Sequence, residues 1–374
     1  MRNLIRRPFT GAMLATTLTL AAVGTAGPAA AAPATPDTPR PPAPTVAAVT
    51  DRLAYALAGR LADPAVRPVL RRLAAPSPAG LDPAALDPAG RLTATIAAAN
   101  RDLLRAKGLP AGTPALLRVR LAHPSMAAAL RAGALPVIAA VPDDDHGAAT
   151  VTGYGPGGTA VSLSTGRIPA RPVLLVDIDA DTAVRAGLEV LRTQARQHGL
   201  QGAAPAVTAA AGGYWATKIT RIRLNDDMES WVKGDAEIFA LVSGFGLDGH
   251  VRVDTVDMPY LNNDGTDYRP NQLLVHWNSY RYNAADVVLM EDDGDTNYSA
   301  LAAAIVTALL TILDQGQYIP LVTPVLNAIP TSWWTDDPDY VDSWYTLTTG
   351  STGTLNGAAA NGTMVVEPFF VSEL

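Results

Sequence analysis

The spacing of apolar residues divides the chain into a helical first part and a mainly β second part. From Thr45 to about Ala134, Ala and Leu recur at intervals of three and four, as in VAAVTDRLAYALAGRL and RLTATIAAANRDLLRAKG. This spacing predicts amphipathic helices. The shorter runs LPVIAAVP, ATVTGYG, TAVSLST and RPVLLVDID predict a small sheet. The stretch DTAVRAGLEVLRTQARQHG predicts a further helix that stops at Gly199.

The second half alternates between apolar and polar residues with the period of two that is typical of half-buried strands. WATKITRIRL shows the alternation directly, and five further strand candidates follow: DAEIFALVSGFG, QLLVHWNSY, DVVLM, DSWYTLTTG and TMVVEPFFV. One helix, from Tyr298 to about Leu313, interrupts them. The pattern predicts an α+β fold, in which an N-terminal helical segment with a small sheet precedes a mainly antiparallel β-sandwich with one inserted helix.

The start of the chain has the features of a secretory signal peptide. Arg2, Arg6 and Arg7 form a basic start, Gly11 to Val23 an apolar run, and Ala30 to Ala32 a small-residue cleavage site. We expect cleavage after residue 32 and a secreted, extracellular protein. No later stretch reaches the roughly 20 apolar residues of a membrane helix, so we expect no transmembrane segment after cleavage.

Proline and small residues mark the boundaries between the predicted parts. Residues 33–44 are rich in proline and predict a disordered lead-in. Residues 45–200 form the predicted N-terminal α+β domain, and the unpatterned stretch 201–213 predicts a linker. Residues 214–374 form the predicted C-terminal sandwich domain.

Charge is distributed unevenly between the two parts. Residues 213–374 contain 7 Lys and Arg against 22 Asp and Glu, whereas residues 33–212 contain 18 against 13. An acidic second half argues against nucleic acid as a partner, because phosphate binding needs a basic surface. The chain contains no cysteine, so disulfides cannot contribute to its stability.

Three loops in the second half are acidic. One of them, MPYLNNDGTDYRPNQ, contains Asn262, Asn263, Asp264 and Asp267, and the two richer loops suggest a bound cation. The first, LNDDMESWVKGDAE, contains Asp226, Asp227 and Asp235. The other, VVLMEDDGDTNY, crowds four carboxylates into five consecutive residues: Glu291, Asp292, Asp293 and Asp295. Because like charges repel, either a cation or solvation together with the positive end of the following helix must reduce the repulsion. In the second case Asp295 or Thr296 would be the N-cap.

Calcium is the cation that best suits such loops. The carboxylates around Gly294 and Gly265 do not have the EF-hand spacing. Calcium can nevertheless be bound by loops that converge from separate strands, since it accepts six to eight oxygen ligands in flexible geometry. Calcium binding and simple capping both stay open on this pattern.

Catalytic motifs give little support for an enzyme. The five histidines are scattered, and the chain has neither an H-E-x-x-H nor a G-x-S-x-G motif, so we expect neither zinc nor a hydrolase serine. A hydrolase that acts on an extracellular polymer is the alternative. Its paired carboxylates would come from Glu229, Glu237 and Glu291, and the tryptophans, which all follow residue 213, would form a substrate platform.

Several phrases resemble an uncharacterised family of exported bacterial proteins, the domain-of-unknown-function family 3103. They are ITRIRLNDDMESWVKGDAEIFALVSG, MPYLNNDGTDYRPNQLLVHW, MEDDGDTNYSALAAAI and DDPDYVDSWYTLTTG, with LPVIAAVP and RIPARPVLLVDID in the first half. The order of strands and acidic loops also resembles a C-two-type calcium-binding sandwich. That resemblance implies metal ligands in the first and third calcium loops: Asp226, Asp227, Asp235, Glu291, Asp292, Asp293 and Asp295.

Taken together, the sequence favours a non-enzymatic binding or structural module over an enzyme. We expect its sandwich to hold one or two calcium ions and its partner to be an extracellular ligand that the sequence does not identify. The alternative is the extracellular hydrolase with paired carboxylates.

Overall fold

Helices and a small sheet form the first half of the molecule, as expected. The computed structural model describes residues 44–75, 80–142, 149–201, 212–226, 236–292, 294, 296–310, 312, 316, 318–328 and 340–372. The predicted signal peptide and, apart from Pro44, the proline-rich lead-in lie outside these residues. The helices of this half are α1 Val46–Ala58, α2 Arg67–Leu73, α3 Thr93–Ala106, α4 Ala127–Arg131 and α5 Ala180–Gln197.

The sheet of the first half has five strands and mixed direction. Its strands are β1 Leu117–Leu121, β2 Val137–Ala140, β3 Thr150–Tyr154, β4 Ala160–Ser164 and β5 Val173–Ile178. They lie in the order β1-β5-β2-β3-β4, with β2 and β5 parallel and the other neighbours antiparallel. β1 falls inside the region that the sequence predicts as helical. Its sequence LRVRL alternates, but it is too short to stand out among helices rich in Leu and Arg.

Two antiparallel sheets of four strands form the second half and confirm the predicted α+β class. The strands are β6 Gly213–Leu224, β7 Ile238–Phe245, β8 Val251–Asp257, β9 Gln272–His276, β10 Ala285–Glu291, β11 Tyr340–Leu347, β12 Gly353–Asn356 and β13 Gly362–Ser372. One sheet has the order β11-β10-β7-β8 and the other β12-β13-β6-β9. Apolar side chains from both sheets share one core, so the sheets pack face to face as a sandwich.

Strands β7 and β10 are covered on both faces. Val287 and Leu289 of β10 belong to the core between the sheets, whereas Val288 and Met290 belong to a core shared with the helices of the first half. Every residue of β7 and β10 is buried. The sheet that contains them is therefore the middle layer of three, and the end of β10 lies where strands and helices meet.

The described residues between β10 and β11 include two helices, where the sequence predicts one. α6 spans Tyr298–Leu309 and ends earlier than expected, and α7 spans Val322–Ala328. Prolines at positions 320, 324 and 330 hide α7 in the sequence, because proline usually marks the end of a helix. Within the described part of the chain, no helix is both long and apolar enough to cross a membrane.

Candidate functional site

The acidic stretch from Glu291 to Asp295, here called the acidic junction, connects the central strand β10 to helix α6. Glu291 is the last residue of β10 and pairs with Ile238 of β7. The backbone N–H of Asp292 then donates to the carbonyl of Glu237 at 3.1 Å, which extends the ladder by one residue. The described residues of the junction are thus fixed by the middle layer of the fold.

Lys107, which follows α3, places its ammonium inside the acidic junction. Its Nζ lies 3.1 and 3.2 Å from the two carboxylate oxygens of Asp292 and donates to the carbonyl of Gly294 at 2.8 Å. The side chains of Lys107 and Asp292 are both fully buried. Such a pair has lost its hydration, so each charge depends on the other for compensation. The junction thus holds a cation that the sequence pattern does not indicate, an ammonium of the chain itself.

The ends of helices α3 and α6 hold this ammonium in place. The amide of Asn297 donates to the carbonyl of Ala106 at 2.7 Å, and the hydroxyl of Ser299 donates to that of Gly108 at 2.6 Å. The N–H of Tyr298 donates to the carbonyl of Lys107 at 2.9 Å. Carbonyls at the end of one helix are thereby satisfied by donors at the start of another.

Helix α6 is capped by Asn297 and not by Asp295 or Thr296. The side-chain oxygen of Asn297 accepts from the N–H of Ala300 at 2.9 Å. The alternative in which Asp295 or Thr296 is the N-cap is therefore wrong, although capping itself occurs. Because a neutral residue provides the cap, the cap does not account for the crowding of carboxylates.

Tyr298 closes the acidic junction on the side of the helices. Its side chain is fully buried, and its ring centroid lies 5.5 Å from Nζ of Lys107. The ring packs directly on Gly187 of α5, where a Cβ atom would overlap it. The Tyr298 hydroxyl lies close to the Asp292 carboxylate without reaching regular hydrogen-bond geometry.

Burial raises the pKa of Tyr298 well above its ordinary value, and the neighbouring carboxylates raise it further. After burial, the causes are the charge of Asp292 and its interaction with the hydroxyl, followed by the charges of Glu291 and Glu237. The phenol is therefore protonated and can act only as a donor toward these groups. One carboxylate, one ammonium and one phenol thus form the buried cluster: Asp292, Lys107 and Tyr298.

The first acidic loop begins at the same end of the sandwich. Asp226 follows β6 and is exposed. Its backbone N–H donates to the side-chain oxygen of Asn361 at 2.9 Å, and the Asn361 amide donates to its carbonyl at 2.8 Å. The loop ends at Glu237, opposite Asp292. The two acidic loops therefore have their described ends at one edge of the fold.

The structure leaves the predicted metal ligands untested as a set. Of the seven, it describes Asp226, Glu291 and Asp292, whereas Asp227, Asp235, Asp293 and Asp295 lie outside the described residues. Among the residues that are described, no three His, Asp or Glu side chains are grouped as a metal site. Calcium binding at these loops stays a prediction.

Sequence reasoning missed two buried carboxylates that anchor loops of the sandwich. Asp342 accepts from the backbone N–H groups of Ser343, Ala359, Asn361 and Gly362 at 2.5–3.0 Å. Asp286 accepts from two further N–H groups, one of which precedes α7. Burial raises the pKa of Asp286, and its backbone hydrogen bonds act in the opposite direction. No sequence signal distinguishes these residues from surface aspartates.

Comparison with known proteins identifies a family but no related protein of known activity. No curated protein and no solved structure matches the chain. The model of a family described as "Protein of unknown function (DUF3103)" matches residues 81–373, a range that contains every residue of the buried cluster. Because the match covers well over half of the chain, the protein belongs to family DUF3103.

Proposed function

We propose that this protein is an exported, non-enzymatic module with a binding or structural role, and that the buried cluster locks its helical half to its sandwich. The observation that carries the proposal is the position of the Lys107 ammonium. It lies against the Asp292 carboxylate, where either a catalytic acid or a metal would need free oxygens. Because the chain itself compensates the charge of Asp292, the pair supports a structural role rather than catalysis.

The accessibility of the carboxylates also supports a non-enzymatic role. A glycosidase needs two carboxyl groups on either side of an open cleft, so that a polymer can lie between them. Glu291 is only 1% exposed, and Asp292 is 2% exposed. A polymer could not reach Glu291 without separation of β10 from the elements that cover it. Glu229, another candidate of the hydrolase hypothesis, lies outside the described residues.

The decisive test of the non-enzymatic role compares the parent protein with Glu291→Gln and Glu237→Gln on a panel of insoluble polysaccharides and denatured protein. We expect no release of soluble sugar or peptide above buffer from any of the three. Turnover by the parent that is lost in either variant would overturn the proposal in favour of the hydrolase.

Export is tested separately by the mass and location of the protein. We expect a protein expressed with its own N-terminus to be found outside the cytoplasm and to begin at Pro33, as a signal peptide cleaved after residue 32 requires. An unprocessed N-terminus in the cytoplasm would remove the exported part of the proposal and leave the structural part standing.

A further inference from the structure

The buried cluster places an amine and a carboxyl group in direct contact. Nζ of Lys107 lies 3.1 and 3.2 Å from the two oxygens of Asp292, and both side chains are fully buried. We propose that Lys107 and Asp292 condense to form an intramolecular isopeptide bond. This inference deepens the structural role proposed above, because it makes the link between the two halves covalent.

The reaction balances with no reagent other than the two side chains. The Lys107 ammonium carries three protons and the Asp292 carboxylate carries none. Two of the protons move to one carboxylate oxygen, the nitrogen lone pair attacks Cγ, and that oxygen leaves as water. One C–N bond forms, one C–O bond breaks, and one proton stays on the nitrogen of the amide. No oxidant or reductant is involved.

One hydrogen bond of the ammonium, the one to Gly294, can be kept in the product. In the ion pair, Nζ is directed at both oxygens of Asp292 and at the carbonyl of Gly294, 2.8 Å away. After condensation the amide nitrogen has one N–H left, and the carbonyl of Gly294 can accept it. The product would thus leave no donor of Lys107 unsatisfied in a buried site.

Glu237 is placed to move protons during the condensation. It lies opposite Asp292 on the extension of the β7–β10 ladder, since the N–H of Asp292 donates to its carbonyl. Directly opposed residues of antiparallel strands share a face of the sheet. This face carries Phe239 and Met290 and packs against the helices, where Lys107 also lies. By the same alternation, Glu291 belongs to the other face, with Leu289.

Tyr298 supplies a donor for the oxygen that gains negative charge. Its side chain is fully buried, its ring centroid lies 5.5 Å from Nζ of Lys107, and its hydroxyl lies close to the Asp292 carboxylate. When nitrogen attacks Cγ, charge develops on a carboxyl oxygen, and a fixed donor in a dry site stabilises such charge strongly. The ends of α3 and α6 hold the two reacting groups together, so that attack needs only a local movement of Nζ from the carboxylate oxygens to the face of Cγ.

The bond would join two segments that are 185 residues apart in sequence. The chain has no cysteine and therefore no disulfide that could do the same. An isopeptide bond also differs from a disulfide in that reducing agents do not break it.

The test is peptide mapping and intact mass of the purified full chain under reducing, denaturing conditions. We expect a mass lower by one water than that of the processed sequence. Digestion with trypsin and chymotrypsin should yield a branched peptide that joins Lys107 to Asp292, with no tryptic cleavage after Lys107. A full-mass protein that is cleaved after Lys107 would overturn the proposal.

Water loss at another position would also overturn it. Asp293 and Gly294 form an Asp-Gly pair, which can lose water by forming a cyclic imide in the backbone. The resulting chain is unbranched, its imide ring opens in mild alkali, and the side chain of Lys107 is not modified. Mapping of the water loss to this pair alone would count against the isopeptide bond.

Three variants that keep side-chain size test the roles of the neighbours. We expect Glu237→Gln and Tyr298→Phe to lower the yield of branched peptide at least tenfold at a fixed time, since general acid-base assistance is typically worth about a hundredfold or more. Glu291→Gln, with the same chemical change on the other face, should match the parent. A loss in Glu291→Gln with none in Glu237→Gln would overturn the assignment of Glu237.

The outcome is independent of the test of the proposed function. Absence of the branched peptide would leave the ion pair and the non-enzymatic role intact. Polymer hydrolysis would refute that role whether or not the bond forms.

Discussion

At the scale of the residue, a single buried lysine determines how the acidic junction is tolerated. Its four carboxylates in five residues are compatible, by sequence alone, with either a bound calcium ion or solvation. Lys107 stands far away in sequence, after a helix and before a glycine, where a basic side chain ordinarily interacts with helix carbonyls in solvent. No local pattern could have connected it with Asp292.

Removal of the Lys107 ammonium should destabilise the folded protein. We expect Lys107→Met to lower the free energy of unfolding by about 3–5 kcal/mol, because it leaves the buried charge of Asp292 uncompensated. Urea denaturation measures the change. Arg105→Met in the last turn of α3 is the matched control, since Arg105 is paired with Asp102 at an exposed position and should change stability by less than about 0.5 kcal/mol. Equal effects of the two changes would contradict the structural role of the pair.

Gly187→Ala provides a second test. Its effect on stability should be the opposite of the usual effect of Gly→Ala in a helix. In an exposed helix, Gly→Ala stabilises by about 0.5–1 kcal/mol. A Cβ at Gly187 would overlap the ring of Tyr298, so Gly187→Ala should instead destabilise by about 1–3 kcal/mol. Gly166→Ala, at a turn with open space around the glycine, is the control. Stabilisation by Gly187→Ala, measured by thermal melting, would show that α5 and α6 are packed less closely than described.

At the scale of the element, the sequence predicts strands and long helices well and their connections poorly. β6, β7 and β10 follow from their alternation or their continuous apolar runs, and α5 follows from its three-to-four spacing. β8 and β12 are absent from the predicted strands. α7 is hidden by prolines. The sequence predicts that the negative charge of the acidic junction needs compensation. It does not predict the compensating group, because Lys107 reaches the junction only through tertiary packing, which periodicity does not encode.

Calcium binding would require the two acidic loops to converge. Both loops have their described ends beside Glu237 and Glu291. If calcium binds, Asp227→Asn with Asp293→Asn should abolish the rise in melting temperature with calcium, which corresponds to about 2.7 kcal/mol at a hundredfold excess over the dissociation constant. The parent melted with calcium, magnesium and chelator provides the reference.

A second double variant controls for the change in net charge. Asp264→Asn with Asp267→Asn removes the same two charges from another acidic loop and should leave the response to calcium unchanged. A parent whose melting temperature is the same with calcium and with chelator would refute the prediction.

At the scale of the whole molecule, the two halves share a core. Val184, Leu188 and Leu191 of α5 belong to the same apolar cluster as Leu241 and Val288 of the sandwich. The predicted linker, residues 201–213, lies mostly outside the described residues, and the domain boundary placed there stays a prediction. A boundary in the chain need not mean that the parts separate once both are folded.

Cleavage at the linker should therefore leave the halves together. With a specific protease site between residues 203 and 210, we expect the cut protein to elute from gel filtration at the position of the uncut protein. On a reducing denaturing gel, the parent should still run as one species if Lys107 is joined to Asp292, whereas Lys107→Arg should run as two fragments. Separation of the fragments under native conditions would contradict the shared core.

The contact between Lys107 and Asp292 also determines how the molecule would respond to a pulling force. If the two residues are covalently joined, tension applied to the termini passes from residue 107 directly to residue 292 and bypasses the chain between them. A protein stretched in an optical trap should then be shorter by the contour length of about 185 residues, roughly 600–670 Å, than its Lys107→Arg variant. The backbone of the enclosed strands β7 and β10 would then carry none of this tension.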